Sequence, residues 1–265
     1  MPEKYTLTEK ELLYASMLSG ISNIWGVKDP YAGMHEEEIK MDILRMQKSL
    51  LEKGYALSEE DGNFSLQGRL SEILHKCASS RYLCEFISDE FENKNQIRRY
   101  YIGTKSLIRL ECSAVASLVY VSEDEMINEL SVLFCAGSES TWTETLIAGS
   151  SRLKHLGSIS RSRFIQELKD KGCEDSLSVI IANGLQGSSS FRVLLCFDTS
   201  SVEPNVPVQK LVTMHFPGGS LIAEADSQSS SDAVRFRKLT KDQLIHELKK
   251  ITQLVPLKGS DEYAS

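Results

Sequence analysis

The stretch SEDEMINEL, residues 122–130, returns as TKDQLIHEL at 240–248. Ser122 matches Thr240, Glu125 matches Gln243, Met126 matches Leu244, Ile127 matches Ile245, Glu129 matches Glu247 and Leu130 matches Leu248. Each copy opens with a hydroxyl residue and places Glu or Gln three residues on. That is a capping box, in which the hydroxyl takes a free amide of the first turn and the longer side chain reaches back. Apolar residues at helical spacing follow in both. Each copy is preceded by an apolar, strand-like run, SLVYV in one case and AVRFRKL in the other. Each therefore marks a strand that turns directly into an amphipathic helix.

The match extends backwards in order. IGTKSLI (102–108) faces FPGGSLI (216–222), each read as a β-hairpin, with Gly103 in one turn and Gly218 and Gly219 in the other. YLCEFIS (82–88) faces VLLCFDT (193–199), and LRMQKSLLEKG (44–54) faces SRFIQELKDKG (162–172), both helices closing on Lys-Gly. The order helix, short helix, strand, hairpin, strand, helix occurs twice. The expected class is α+β: two related α/β halves, a pseudo-two-fold duplication, around a central, mainly antiparallel sheet with flanking helices. The boundaries that follow are an N-terminal half at 1–136, a linking helical segment at 137–158 and a C-terminal half at 159–265. These form separate units or one compact domain.

In finer detail, helices are expected at 6–24, with Thr8 and Glu11 as a third capping box, at 36–53, and at 66–76. Strands are expected at 82–88, in the hairpin around Gly103, and at 115–121. The second half carries helices at 160–171, around Leu177–Ala182 and at 240–254, with strands near 191–198, 207–216, 219–225 and 233–238.

The chain has 265 residues, 41% hydrophobic and 25% charged, the composition of a globular protein. No apolar run approaches the roughly 20 residues of a membrane helix. The opening MPEKYTLTEKELL carries acids and no apolar core of a signal peptide, so a cytoplasmic location is expected. None of the six cysteines falls in C-x-x-C, and several lie in apolar strands or helices, where a free thiol packs as a small hydrophobe. A net charge of −7 and a pI of about 5.4 give no electrostatic footprint for nucleic acid.

The common catalytic patterns are missing. There is no Walker-type phosphate loop, no G-x-S-x-G, no H-E-x-x-H, and no G-x-G-x-x-G after a strand. Phe216-Pro217-Gly218-Gly219-Ser220 reads as a hairpin tip. The five histidines are scattered, and Glu36, Glu37 and Glu38 sit at a helix N-terminus, where the dipole favours them. No catalytic residue, metal ligand or cofactor is expected, and a binding protein is favoured over an enzyme.

The layout resembles the EspG family, the cytosolic chaperones of type VII (ESX) secretion. The resemblance is carried by LTEKELL in an N-terminal helix, by LLEKGYALSEEDGNFS and LQGRLSEILHKCAS, by the hairpin RRYYIGTKSLIRLE, and by the closing VRFRKL and TKDQLIHELKKITQL. It spans nearly the full chain as a pattern, and the Pro- and Ala-rich texture of mycobacterial members is missing. The resemblance implies two related α/β halves around a central sheet. It also implies an adaptor that binds the helical tip of a secreted protein, a Trp-x-Gly helical hairpin or paired-helix relative, and keeps it soluble until export. No nucleic-acid or membrane partner is implied, and the oligomeric state is left open. Hairpin loops project from a sheet and carry function. The residues expected to bind are therefore Tyr101, Ile102, Gly103, Thr104 and Lys105, with Phe216 and Pro217 in the second half; alternatively Ile102 and Phe216 are core residues at hairpin ends.

A competing reading makes residues 36–110 a winged-helix DNA-binding regulator with an effector half. Its recognition helix would offer Gln67, Arg69, His75 and Lys76 against Glu72, and its wing Arg98, Arg99 and Lys105. Such a helix should present several basic or amide side chains outward.

Overall fold

The computed structural model describes residues 4–58, 64–88, 97–112, 115–134, 146–149, 160–170, 173–183, 190–201, 205–216, 219–225 and 233–253. In chain order the strands are β1 (Lys4–Leu7), β2 (Ala56–Ser58), β3 (Phe64–Leu66), β4 (Tyr82–Ser88), β5 (Ile97–Ile102), β6 (Leu107–Cys112), β7 (Ala116–Tyr120), β8 (Leu146–Gly149), β9 (Ser190–Asp198), β10 (Gln209–Phe216), β11 (Gly219–Ala225) and β12 (Ala233–Lys238). The helices are α1 (Glu9–Leu18), α2 (Glu36–Glu52), α3 (Gly68–Ala78), α4 (Glu123–Leu133), α5 (Arg161–Asp170), α6 (Asp175–Asn183) and α7 (Lys241–Gln253).

Ten strands form one sheet in the order β1-β7-β6-β5-β4-β9-β10-β11-β12-β8, and β2 pairs with β3 in a separate ribbon. Every described pairing is antiparallel. The fold is thus α+β, a large antiparallel sheet with flanking helices. Outward from the central β4–β9 pair, each side reads as a run of three strands in sequence order closed by one strand from elsewhere. β4 and β9 meet at the centre of the sheet in the register Leu83–Phe197, Cys84–Cys196, Glu85–Leu195, Phe86–Leu194 and Ile87–Val193.

Alternating side chains send the sheet into two hydrophobic clusters. On one face Leu83, Tyr101, Ile108, Leu110 and Leu118 pack with Leu12 and Ala15 of α1, Leu50 of α2 and Leu70, Ile73, Leu74 and Cys77 of α3. On the other face Cys84, Phe86, Tyr100, Leu194 and Cys196 pack with Met126, Ile127 and Leu130 of α4 and Leu244 and Leu248 of α7. The two helices singled out by their repeated sequence therefore lie together over the centre of the sheet. Each fully buried side chain of this size contributes about 1.5–3 kcal/mol of transfer free energy.

The capping boxes form. Glu125 N donates to Ser122 Oγ at 3.1 Å and Ser122 N to Glu125 Oε2 at 2.7 Å. Gln243 N donates to Thr240 Oγ1 and Thr240 N to Gln243 Oε1, both at 3.2 Å. Thr8 and Glu11 do the same at the start of α1.

Several expectations need correction. The first helix begins at Glu9, not at residue 6. Tyr5 and Leu7 alternate inward and pair with Leu118 and Ala116, so the segment before Thr8 is a strand. The helix ends at Leu18, well before residue 24. Gly20 takes φ +72°, and its amide and that of Ile21 return to the carbonyls of Met17 and Ser16, a Schellman stop. The linking segment 137–158 is not helical where it is described: Leu146–Gly149 is strand β8, paired with β12. An edge strand of four residues leaves too little periodicity to separate it from a helix. The rest of that segment, residues 59–63, 89–96 and 226–232, and everything beyond 253 lie outside the described residues.

Candidate partner-binding surface

The β5–β6 hairpin closes with Gly103 N donating to Ser106 O at 2.8 Å. Thr104 and Lys105 are exposed at its tip, while Tyr101 and Ile102 are buried in opposite clusters. Tyr101 Oη also donates to the carbonyl of Trp25 at 2.6 Å. The alternative reading of Ile102 as a core residue at a hairpin end is therefore the one that holds, and Tyr101 joins it inside. What this hairpin offers a partner is the tip alone. Phe216 ends β10 opposite Gly219, and Pro217 lies outside the described residues. The two hairpins point to opposite ends of the sheet. Ile102 is level with Tyr82 and Asp198, whereas Phe216 follows His215, which pairs with Ser190 at the far end of β9. The residues expected to bind are thus not brought into one patch.

A different surface lies between those ends. Strand β9 is apolar on both faces. Leu194 and Cys196 point to the cluster under α4 and α7 and are fully buried. Phe191, Val193, Leu195 and Phe197 point the other way, beside Ile87 of β4 and Val212 of β10. On this second face Ile87 is 37% and Phe191 40% exposed, and the other four are half-buried. To one side Leu83 and Tyr101 are sealed by α1–α3; to the other, Met214 and Leu221 are buried. The result is a half-open apolar strip along the centre of the sheet. Polar side chains cut into its width: Glu85, paired with Arg99 at 2.6 Å, and exposed Lys210 stand directly on either side of Leu195.

The dimensions follow from strand geometry. The rise from Phe191 to Phe197 makes the strip about 20 Å long; it spans three strands, about 10 Å, at the Ile87–Val193–Val212 level and narrows to β9 alone at Leu195. An α-helix with its side chains is about 10–12 Å across. In length the strip matches a helix of about four turns. The sequence carried a signal for it: SFRVLLCFD is apolar at consecutive positions, and such a strand needs cover on both faces.

A separate apolar cleft of about 500 Å³ opens between α1 and α2, lined by Leu13, Met17, Ile21, Ile24, Ile39 and Ile43 among others. The Cys77 and Cys112 thiols are pushed up by burial, with Arg99 pulling Cys112 partly back. Cys84 is raised by its hydrogen bond with Cys196 and by burial. None is poised as a thiolate nucleophile. Among the described residues no cluster of His, Cys, Asp or Glu has the arrangement of a metal site, and no helix is long and apolar enough to cross a membrane.

Neither a protein-family model nor a curated protein matches the chain in sequence. Among solved structures, the fold is similar to that of the Mycobacterium tuberculosis type VII secretion system chaperone EspG5, determined in complex with the PE25–PPE41 dimer. The TM-score is 0.65 at 8% identity, over 96% of this chain and 97% of that one. At that identity the likeness establishes a shared fold.

The structure also bears on the winged-helix reading. The β5–β6 hairpin is flanked by β4 and β7 inside the ten-stranded sheet, so it is not a free wing. In α3 the exposed side chains are Arg69, Glu72 and His75, with Lys76 paired to Glu72 at 2.5 Å, a mixed face rather than the run of basic and amide side chains a recognition helix presents.

Proposed function

We propose that this chain is a non-catalytic, cytoplasmic chaperone or adaptor of type VII secretion that covers a helical tip of a secreted partner and keeps it soluble until export. The observation that carries this reading is the half-open strip of Ile87, Phe191, Val193, Leu195, Phe197 and Val212, long enough for about four turns of one helix. Its setting in a fold shared end to end with EspG5 supports the same class of role. An apolar strip of this kind on a soluble protein marks a binding site. A partner helix would set its apolar stripe on Phe191, Val193, Leu195 and Phe197, with the polar side chains flanking that stripe toward Glu85, Lys210 and the Thr104–Lys105 tip, giving a few apolar anchors among polar contacts. Such an interface releases its cargo more readily than an obligate one. The partner this chemistry fits is a Trp-x-Gly helical hairpin or a paired-helix relative.

The test is a native pull-down from nuclease-treated source cytosol, repeated with Leu195→Asp. Recovery of paired-helix proteins by the native chain, lost with Leu195→Asp while the variant keeps its circular dichroism spectrum, supports the proposal. Retention of DNA before nuclease treatment, with affinity falling steeply as salt rises, would overturn it.

A further inference from the structure

Helix α2 is apolar on two faces. Ile39, Ile43, Met46 and Leu50 turn toward the protein. On the opposite side Met41 is 55%, Leu44 60% and Leu51 40% exposed. Written out by helical phase, the outward stripe runs Glu37, Met41, Leu44, Lys48, Leu51, at alternating spacings of four and three. That is the seam of a coiled coil rather than scattered surface residues.

The charges along α2 are unevenly shared. Its first half carries Glu36, Glu37, Glu38, Lys40 and Asp42; its second half carries Arg45, Lys48 and Glu52, with Lys53 as the cap. A parallel partner of the same sequence would set like charges together. An antiparallel one sets the acidic half against the basic half. In that orientation the first four seam positions pair with themselves: Met41 meets Leu44 of the second copy and Glu37 meets its Lys48. Beside the seam, Glu38 falls next to Arg45 of the other copy. Each of these contacts occurs twice about the two-fold axis. Lys48 and Arg45 now rest in short-range pairs with Glu52 at 3.8 Å and Asp42 at 3.2 Å. Such exposed pairs are weak and exchange readily.

We infer that the outward face of α2 is a self-association surface, on which a second copy of this chain docks its own α2 antiparallel. The occupant is a second copy rather than another helix because the stripe is complementary to itself in both apolar and charged positions. Isologous contacts of this kind close into a two-fold dimer and do not propagate. A single 17-residue helix pair, about 25 Å long, buries less than the about 1,600 Å² of a standard stable interface, so the dimer is a dissociating one with affinity of roughly micromolar order. The surface is independent of the sheet strip, and the proposal stands or falls apart from the chaperone reading.

Sedimentation equilibrium of the purified full chain tests it, with circular dichroism to confirm that each variant is folded. The native chain is expected to show a monomer–dimer equilibrium that weakens as salt rises. Leu44→Glu should remove the dimer. Glu37→Lys alone and Lys48→Glu alone should each weaken it about five-fold, because two exposed pairs are lost at once, and the double exchange should restore it. A native chain that is monomeric up to about millimolar concentration, where even a weak contact would register, overturns the proposal. So does a dimer indifferent to Leu44→Glu, or a charge exchange that fails to rescue. A monomeric chain whose Leu44→Glu variant loses a helical partner would assign the stripe to that partner instead, and this too sinks self-association.

Discussion

Arg99 and Glu85 stand directly opposite each other on β5 and β4, with Nε and Oε1 2.6 Å apart, and Gly26 presses against the pair. A Cβ at Gly26 would lie 2.3 Å from Arg99 Nε and 2.9 Å from Glu85 Oε1. The glycine also has φ +79°, where an L side chain is strained. The loop after α1 can close over the sheet only because this position is bare. Gly26→Ala is expected to destabilise the protein by about 2–3 kcal/mol, from left-handed strain plus displacement of the buried pair. Urea unfolding should show a lower midpoint with an unchanged slope; an unshifted midpoint would mean that the loop yields freely.

Glu11 carries a pH dependence. Its carboxylate is buried and accepts from Lys53 Nζ at 2.7 Å, Ser49 Oγ at 2.5 Å and Thr8 N at 2.6 Å. Burial raises its pKa, but the Lys53, Ser49 and Thr8 contacts outweigh that, and the result lies below the ordinary glutamate value of 4.5. A depressed folded value means that the contribution to stability is fully present above 4.5 and is lost as pH falls through the lower folded value. Native stability should therefore drop through this acid range. Glu11→Gln should be less stable at neutral pH and should vary less over the same range. Parallel pH profiles for the two proteins would remove Glu11 as a source of the dependence.

The capping boxes before α4 and α7 bear directly on the layer that covers the centre of the sheet. Ser122→Ala and Thr240→Ala should each cost about 1 kcal/mol. Substitution by Gly should cost only a few tenths, because glycine suits an N-cap. Thermal melts of the four variants check this, and equal losses for Ala and Gly would show that the hydroxyls are not the cause.

The strip and the hairpin tip make different claims on a partner. Thr104→Glu with Lys105→Glu lies in exposed sequence and should weaken partner binding severalfold while leaving the melting temperature unchanged. Leu195→Asp should abolish binding, since it places a charge within the apolar seat. Titration calorimetry with the recovered partner separates them: unchanged affinity in the first variant would remove the hairpin tip from the interface.

Secondary structure was legible wherever local signals were strong. The Ser122 and Thr240 boxes, the Lys-Gly ending of α2 and the alternation of YLCEFIS all act within a few residues, so neighbours in sequence suffice to read them. Short edge strands were not legible. KYTL and LIAG are extended because β7 and β12 offer them free edges, and those partners lie more than 80 residues away along the chain. The surface proposed to bind is the least legible. Loop position pointed to Tyr101 and Ile102, but both side chains turn inward from strand ends, and nothing local says which residues of SFRVLLCFD the helices leave open.

By itself the sequence determined the class of fold, the position of most helices and strands, and the lack of any familiar catalytic motif. These depend on periodicity, capping and turn residues, which act locally. Only the tertiary structure decided that β4 pairs with β9, that the two hairpin tips point to opposite ends of the sheet, and that one face of the central strands is left half-open. Those outcomes depend on which apolar surfaces find each other across long stretches of chain, and burial in a sheet is settled by whatever packs over it, not by the strand's own residues.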